Sequence, residues 1–134
     1  MLLQPKKTKY KKTQKGRLHK YNFRSNKLQF GDIGLKAAKS ATISSRQIES
    51  ARQAIVRKLN RKGKLWIRIF PSIPVTAKPT EVRMGKGKGA VSHWSVKVSA
   101  GTILFEICGI SKNIAITAFK TGGAKLPIKT IIFL

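Results

Sequence analysis

The chain has 134 residues, of which 29 are Lys or Arg and only four are Asp or Glu, for a net charge of +25 and a pI of about 11.3. That length suits one domain with a modest core, and self-repulsion at this charge calls for an anionic partner, nucleic acid first among them. Asp32, Glu49, Glu81 and Glu106 are scattered, His19 and His93 lie far apart and Cys108 stands alone, which argues against carboxylate-pair catalysis, hard-metal or zinc sites and an internal disulfide.

Residues 1–27 read as a basic arm. Lys6, Lys7, Lys9, Lys11, Lys12, Lys15 and Arg17, followed by Lys20 and Arg24, are interleaved with Tyr10, Tyr21 and Phe23. Too little apolar surface is present for the arm to fold alone. It is expected to order against phosphates, with its rings free to stack on unpaired bases or to pack on the domain. The acid-free, basic N-terminus could pass for an organellar transit peptide, but it lacks a clear apolar face and is expected to be part of the working protein; no secretory signal is expected, and no apolar run approaches the ~18 residues of a membrane span.

The globular part is expected from Leu28 to the end, residues 28–134. Leu28, Phe30, Ile33 and Leu35, punctuated by Gly31 and Gly34, suggest short strands with a bend. Ser44 and Gln47 have the spacing of a capping box, and Ile48, Ala51, Ile55 and Leu59 follow at helical intervals as far as Gly63, a candidate C-terminal cap. The opposite face carries Arg46, Arg52, Arg57, Lys58 and Arg61. Solubility alone would explain such a face, but at this net charge Arg46 and Arg52 are candidate phosphate ligands.

Lys64 to Phe70 alternates as a strand, with Leu65, Ile67 and Ile69 on one face and Trp66 and Arg68 on the other, until Pro71 ends it. Pro74 and Pro79 bracket a stiff connection to Arg83-Met84-Gly85-Lys86-Gly87-Lys88-Gly89. Its glycines admit backbone conformations closed to other residues while cations project between them. A phosphate-cradling nucleotide loop would need Gly-Lys-Ser/Thr leading into a helix, and a dinucleotide fingerprint needs wider glycine spacing; neither is met. The segment reads as the cationic tip of a long hairpin, with Pro79 to Val82 entering it and His93 to Val98 leaving.

Ile103 to Cys108 is a further strand closed by Gly109, with Cys108 read as an inert core thiol. Ser111 opens a second helix with Ile114, Ala115, Ala118 and Phe119 on one face, weakened at its end by Gly122 and Gly123 and finished before Pro127. Ile128 to Phe133 is a last short strand. The sum is an α+β fold, two helices packed on a mixed or antiparallel sheet, with a long β-hairpin loop and an extended basic arm.

Pro5-Lys6-Lys7-Thr8-Lys9-Tyr10 with Lys15-Gly16-Arg17, Arg46-Gln47-Ile48-Glu49, Gly63-Lys64-Leu65-Trp66-Ile67-Arg68, Lys78 to Gly89 with Trp94, and Lys125-Leu126-Pro127-Ile128-Lys129-Thr130 resemble, in that order, the bacterial-type large-subunit ribosomal protein sixteen family. The resemblance spans nearly the whole chain. It implies helices against a mixed sheet with a hammerhead-like β extension, and a place between the central protuberance and the stalk base. There the loop Arg83 to Gly89 would approach aminoacyl-tRNA in the A site. Arg83, Lys86 and Lys88 would be phosphate ligands, the arm would thread into large-subunit rRNA, and neighbouring large-subunit proteins would be further partners. No catalysis, cofactor, metal, small-molecule substrate or membrane is implied. Gln14, Cys108 and the Gly122-Gly123 pair depart from the family's usual residues, and the last departure bears on the second helix. Richness in Lys and Ile suggests an AT-biased genome, hence a ribosome of the mitochondrial matrix, with plastid stroma and bacterial cytoplasm as alternatives. Charge alone would equally suit a free-standing RNA- or DNA-binding regulator, which stable incorporation into a large subunit would exclude.

Overall fold

The computed structural model describes residues 3–18, 21–85 and 87–134. Lys86 of the loop, and His19 and Lys20 of the arm, lie outside the described residues. In chain order the elements are β1 (Ile33–Ala37), β2 (Ala41–Ser44), α1 (Ser45–Lys58), β3 (Lys64–Ile67), β4 (Ile73–Ala77), β5 (Ala90–Val98), β6 (Ile103–Cys108), α2 (Lys112–Gly123) and β7 (Thr130–Phe133). The strands form two sheets, β3-β6-β1-β7 and β2-β5-β4, and every pairing within them is antiparallel. A single sheet was the simplest expectation. The strands divide instead, because β2, β4 and β5 pair only with one another and carry the hairpin as a separate layer.

Strand β6 is buried from Ile103 to Ile107, its one charged residue Glu106 included, as in a strand covered on both faces. Helix α1 packs on β2 and β5, α2 packs on β1 and β7, and the two helices pack on each other. Ile48, Ala51 and Ile55 of α1 meet Ala115, Ala118 and Phe119 of α2 in one core. Ile114, placed on this face by spacing, turns outward and is half exposed.

The capping box forms as the sequence suggests: the Ser44 side chain accepts from the Gln47 N–H, and the Gln47 side chain accepts from the Ser44 N–H. Gly63 does not cap α1. The helix stops at Lys58, with Leu59 as its C-cap, and Asn60 and Arg61 turn the chain away in the left-handed region, at φ of 50° and 60°. Four residues, Ala41 to Ser44, add a strand that no periodicity announced, since Ile43 alone among them is buried. Leu28 and Phe30 are not in strands; they belong to a loop laid over β6.

Gly122 and Gly123 do not fray α2 but lie buried within it. A Cβ on Gly122 would stand 2.4 Å from Ile55 Cγ1, and one on Gly123 would stand 2.6 Å from Thr130 Oγ1. The glycines therefore set how closely α2 approaches α1 and β7. Helix propensity favours Gly122→Ala by about 1 kcal/mol, but overpacking against a core isoleucine opposes it by roughly 1–3 kcal/mol. Gly122→Ala is expected to lower stability in urea unfolding; an increase would refute the close-packing role.

Candidate nucleic-acid interface

The hairpin of β4 and β5 holds the glycine-lysine segment. Its ascending strand is Ile73 to Ala77, earlier than Pro79 to Val82, which forms a turn closed by the Val82 N–H on the Pro79 carbonyl at 3.3 Å. Pro74 is tolerated within β4 because that strand is at the sheet edge. The loop glycines act in two ways. Gly85 and Gly87 have φ of +99° and +83° with open space where a Cβ would lie, whereas a Cβ on Gly89 would fall 2.3 Å from the Ala77 carbonyl oxygen. Gly85 and Gly87 shape the tip; Gly89 lets the two strands close at its base.

Arg83, Gly85, Gly87 and Lys88 are exposed, Gly89 is half-buried, and Met84 is 100% exposed. Lys78 donates to the Gly85 carbonyl across the loop. Lys12 Nζ donates to the Lys88 carbonyl at 2.8 Å, and Lys88 Nζ donates to the Thr13 carbonyl. Arm and loop, 75 residues apart in sequence, are thus brought together by a reciprocal lysine exchange.

The described part of the arm runs over the domain. Leu3 joins the core, residues 13–16 and Leu18 border a groove of about 870 Å³ on β2, β4 and β5, and the Asn22 N–H bonds the Ala100 carbonyl at 2.9 Å. Lys6, Lys7, Lys9, Lys11, Lys12, Lys15 and Arg17 are all exposed, with Lys9 over the Tyr10 ring at 5.6 Å. The groove beside the arm also gathers Lys88, His93 and Lys97. Lys97 escaped the sequence reading because it sits within an ordinary alternating strand.

Arg46 is exposed and borders a second groove with Gln4 and Trp94. Arg52 is different. It is half-buried and grips Glu49 through Nε and Nη2 at 2.9 and 2.7 Å; that hydrogen bond holds the Glu49 carboxyl below its usual range. Arg52 thus has a protein partner, and its groove also contains Arg57 and Arg61.

This surface has the makings of a polyanion site, and the comparisons give it a family. From residue 5 to residue 133 the sequence matches the family described as Ribosomal protein L16p/L10e. The chain belongs to this ribosomal protein family. Proteins named large ribosomal subunit protein uL16 from Chelativorans sp. and Caulobacter vibrioides are each 54% identical to it over 129 residues, 96% of this chain and 94% and 90% of theirs. The one from Cereibacter sphaeroides is 53% identical over 131 residues, 98% of this chain and 96% of its own.

In this ribosomal family member one buried acid ties the loop before β1 to β6. Glu106, on β6, is fully buried. Its carboxylate accepts from the N–H groups of Phe30 at 2.7 Å, Gly31 at 2.9 Å and Gln29 at 3.3 Å, and pairs with the Arg68 guanidinium. Burial pushes the carboxyl up, but those amides and Arg68 outweigh it and hold it below the usual range. Cys108 is half-buried rather than deep in the core. A hydrogen bond to Asp32 pushes its thiol up, away from reactive thiolate. Among the described residues no three His, Cys, Asp or Glu side chains cluster as metal ligands, and no helix is long and apolar enough to cross a membrane.

Because the folded Glu106 carboxyl titrates below its unfolded counterpart, its contribution to stability is complete above about pH 4.3 and is lost as pH falls through the folded value. Glu106→Gln is expected to cost about 3 kcal/mol near neutrality and to shrink the acid-side loss of stability. An unchanged acid-unfolding profile in the variant would contradict this assignment.

Proposed function

We propose that this chain is a structural, non-catalytic constituent of the large ribosomal subunit that binds large-subunit rRNA through its arm and helix α1, with the hairpin tip reaching toward aminoacyl-tRNA in the A site. The observation that carries the reading is the joining of the basic arm to the glycine-lysine loop through Lys12, Thr13 and Lys88, in a chain that matches a ribosomal family over 129 residues. Such a surface suits RNA phosphates: flexible ammonium groups donate to carbonyls when free and exchange them for charge-assisted bonds to phosphate when RNA arrives. Lys6, Lys7, Lys9, Lys11, Lys12, Lys15, Arg17 and Arg46 would contact rRNA, joined by Arg52 where its pairing with Glu49 leaves donors free. Residues 1–27 would act as the rRNA-binding arm and 28–134 as the body that carries the loop. Arg83, Lys86 and Lys88 would face the tRNA or the rRNA around it. Neighbouring large-subunit proteins would complete the contacts.

For the compartment we propose a ribosome of the mitochondrial matrix. Support comes from the Lys- and Ile-rich composition; the bacterial relatives fit an organelle of bacterial descent and equally a bacterial cytoplasm.

Sedimentation of a lysate at rising salt tests the assembly. The chain should stay with the large subunit at high salt, and release into the free fraction at moderate salt would favour a free-standing nucleic-acid binder. Replacing Lys86 and Lys88 by alanine should leave the chain folded while lowering the logarithmic salt slope of RNA binding by roughly 0.7–0.9 per lysine. Unchanged binding together with unchanged translation would remove the loop from the proposal.

A further inference from the structure

Strand β3 lies at the edge of the four-stranded sheet. Leu65 and Ile67 pack on the core, so the intervening Trp66 faces the other way. There its ring stacks with Phe30, centroids 6.0 Å apart and planes inclined by 21°. Phe30 is nevertheless 57% exposed. Lys64 Nζ stands 5.1 Å from the Trp66 ring centre, and the Arg68 guanidinium carbon 5.2 Å from that of Phe30.

The position of Phe30 is imposed by its surroundings. Its own N–H and those of both neighbours are bound to the buried Glu106 carboxylate, and Arg68 is tied to Glu106 and, at 2.8 Å, to the Gln29 side chain. A fully buried charge thus holds an aromatic ring out in solvent. A side chain of this size contributes little to stability while exposed, whereas a rigidly presented ring is well suited to receive a flat partner.

We infer that the Phe30–Trp66 stack is a platform for one unpaired base of single-stranded RNA, with Lys64 taking the adjoining phosphate. The inference rests on the RNA-binding reading above and adds to it a site away from the hairpin loop. Charge complementarity selects the occupant. Lys64 stands over the Trp66 ring and Arg68 over the Phe30 ring, Glu106 is buried and matched by Arg68, and Lys64 is exposed, so a polyanion bearing flat apolar faces fits. Duplex RNA does not offer that face, because its bases already stack on one another.

The test uses the full chain with two probes, a single-stranded oligouridylate and a blunt oligo(U)·oligo(A) duplex. Phe30→Leu keeps apolar bulk in the loop while removing the aromatic face. It should weaken single-strand binding roughly fivefold or more, with duplex binding and both salt slopes unchanged, because stacking releases no counterions. Lys64→Gln should lower the single-strand slope by about 0.7. In the unaltered chain, photo-crosslinking to a single strand carrying 4-thiouridine should place an adduct on Phe30 or Trp66, a readout independent of how any variant folds. Equal weakening of both probes by Phe30→Leu, no weakening at all, or crosslinks confined to other residues would each overturn the platform. Binding of neither RNA by the unaltered chain would defeat the RNA-binding reading itself, and the platform with it.

Discussion

One carboxylate organises much of this molecule. Glu106 is the only charged residue among the described residues that is fully buried. A buried ion left unmatched would cost several kcal/mol, and a pair is worth keeping only when every lone pair finds a donor. Here three consecutive backbone amides and one arginine supply the donors. The arrangement does more than neutralise a charge. It ties an irregular loop, 28–31, to β6, an inner strand of the larger sheet, and it brings Arg68, just beyond the end of β3, to the same point. A hydrophobic residue at position 106 could fill the space, yet it would leave three amides without acceptors and the loop without a reason to lie where it does.

The same scarcity of acids governs the rest. With a net charge of +25, most cations have no carboxylate to meet, and the chain satisfies several of them with its own carbonyl oxygens. Lys12, Lys78 and Lys88 each donate to a backbone carbonyl. These bonds gain little in water and are readily exchanged for phosphate oxygens, which combine charge with acceptor geometry. The pattern is that of a surface adapted to a polyanion, with a core just large enough to hold its shape.

The second constraint is close approach between helices. Ile55 of α1 lies where a side chain on residue 122 would be, and only glycine leaves the room. From composition alone a pair of glycines near a helix end looks like a weak terminus. In the folded chain their missing side chains let α2 settle against α1 and β7, so that close packing offsets the loss of helix propensity.

How much was legible in the sequence follows from the range of the forces involved. The capping box at Ser44 and Gln47, the 3.6-residue period of α1, the buried run of β6 and the cationic glycine loop are local patterns, and local patterns report directly on backbone conformation. The motifs of the tryptophan strand and the Arg-Met-Gly-Lys-Gly-Lys-Gly loop carried the family resemblance, and the net charge pointed to a polyanionic partner. Strand β2 was hidden because four residues with a single buried side chain show no period. The true entry to the hairpin was hidden by Pro74, which is compatible with a strand only at an edge, a fact of sheet order. Tertiary structure alone decided that two sheets form rather than one, that Lys12 and Lys88 meet, that Gly122 is a contact surface, and that Glu106 faces Phe30 and Arg68. Each of these joins residues far apart in sequence, and their proximity depends on how the layers pack, which no window of neighbouring residues encodes.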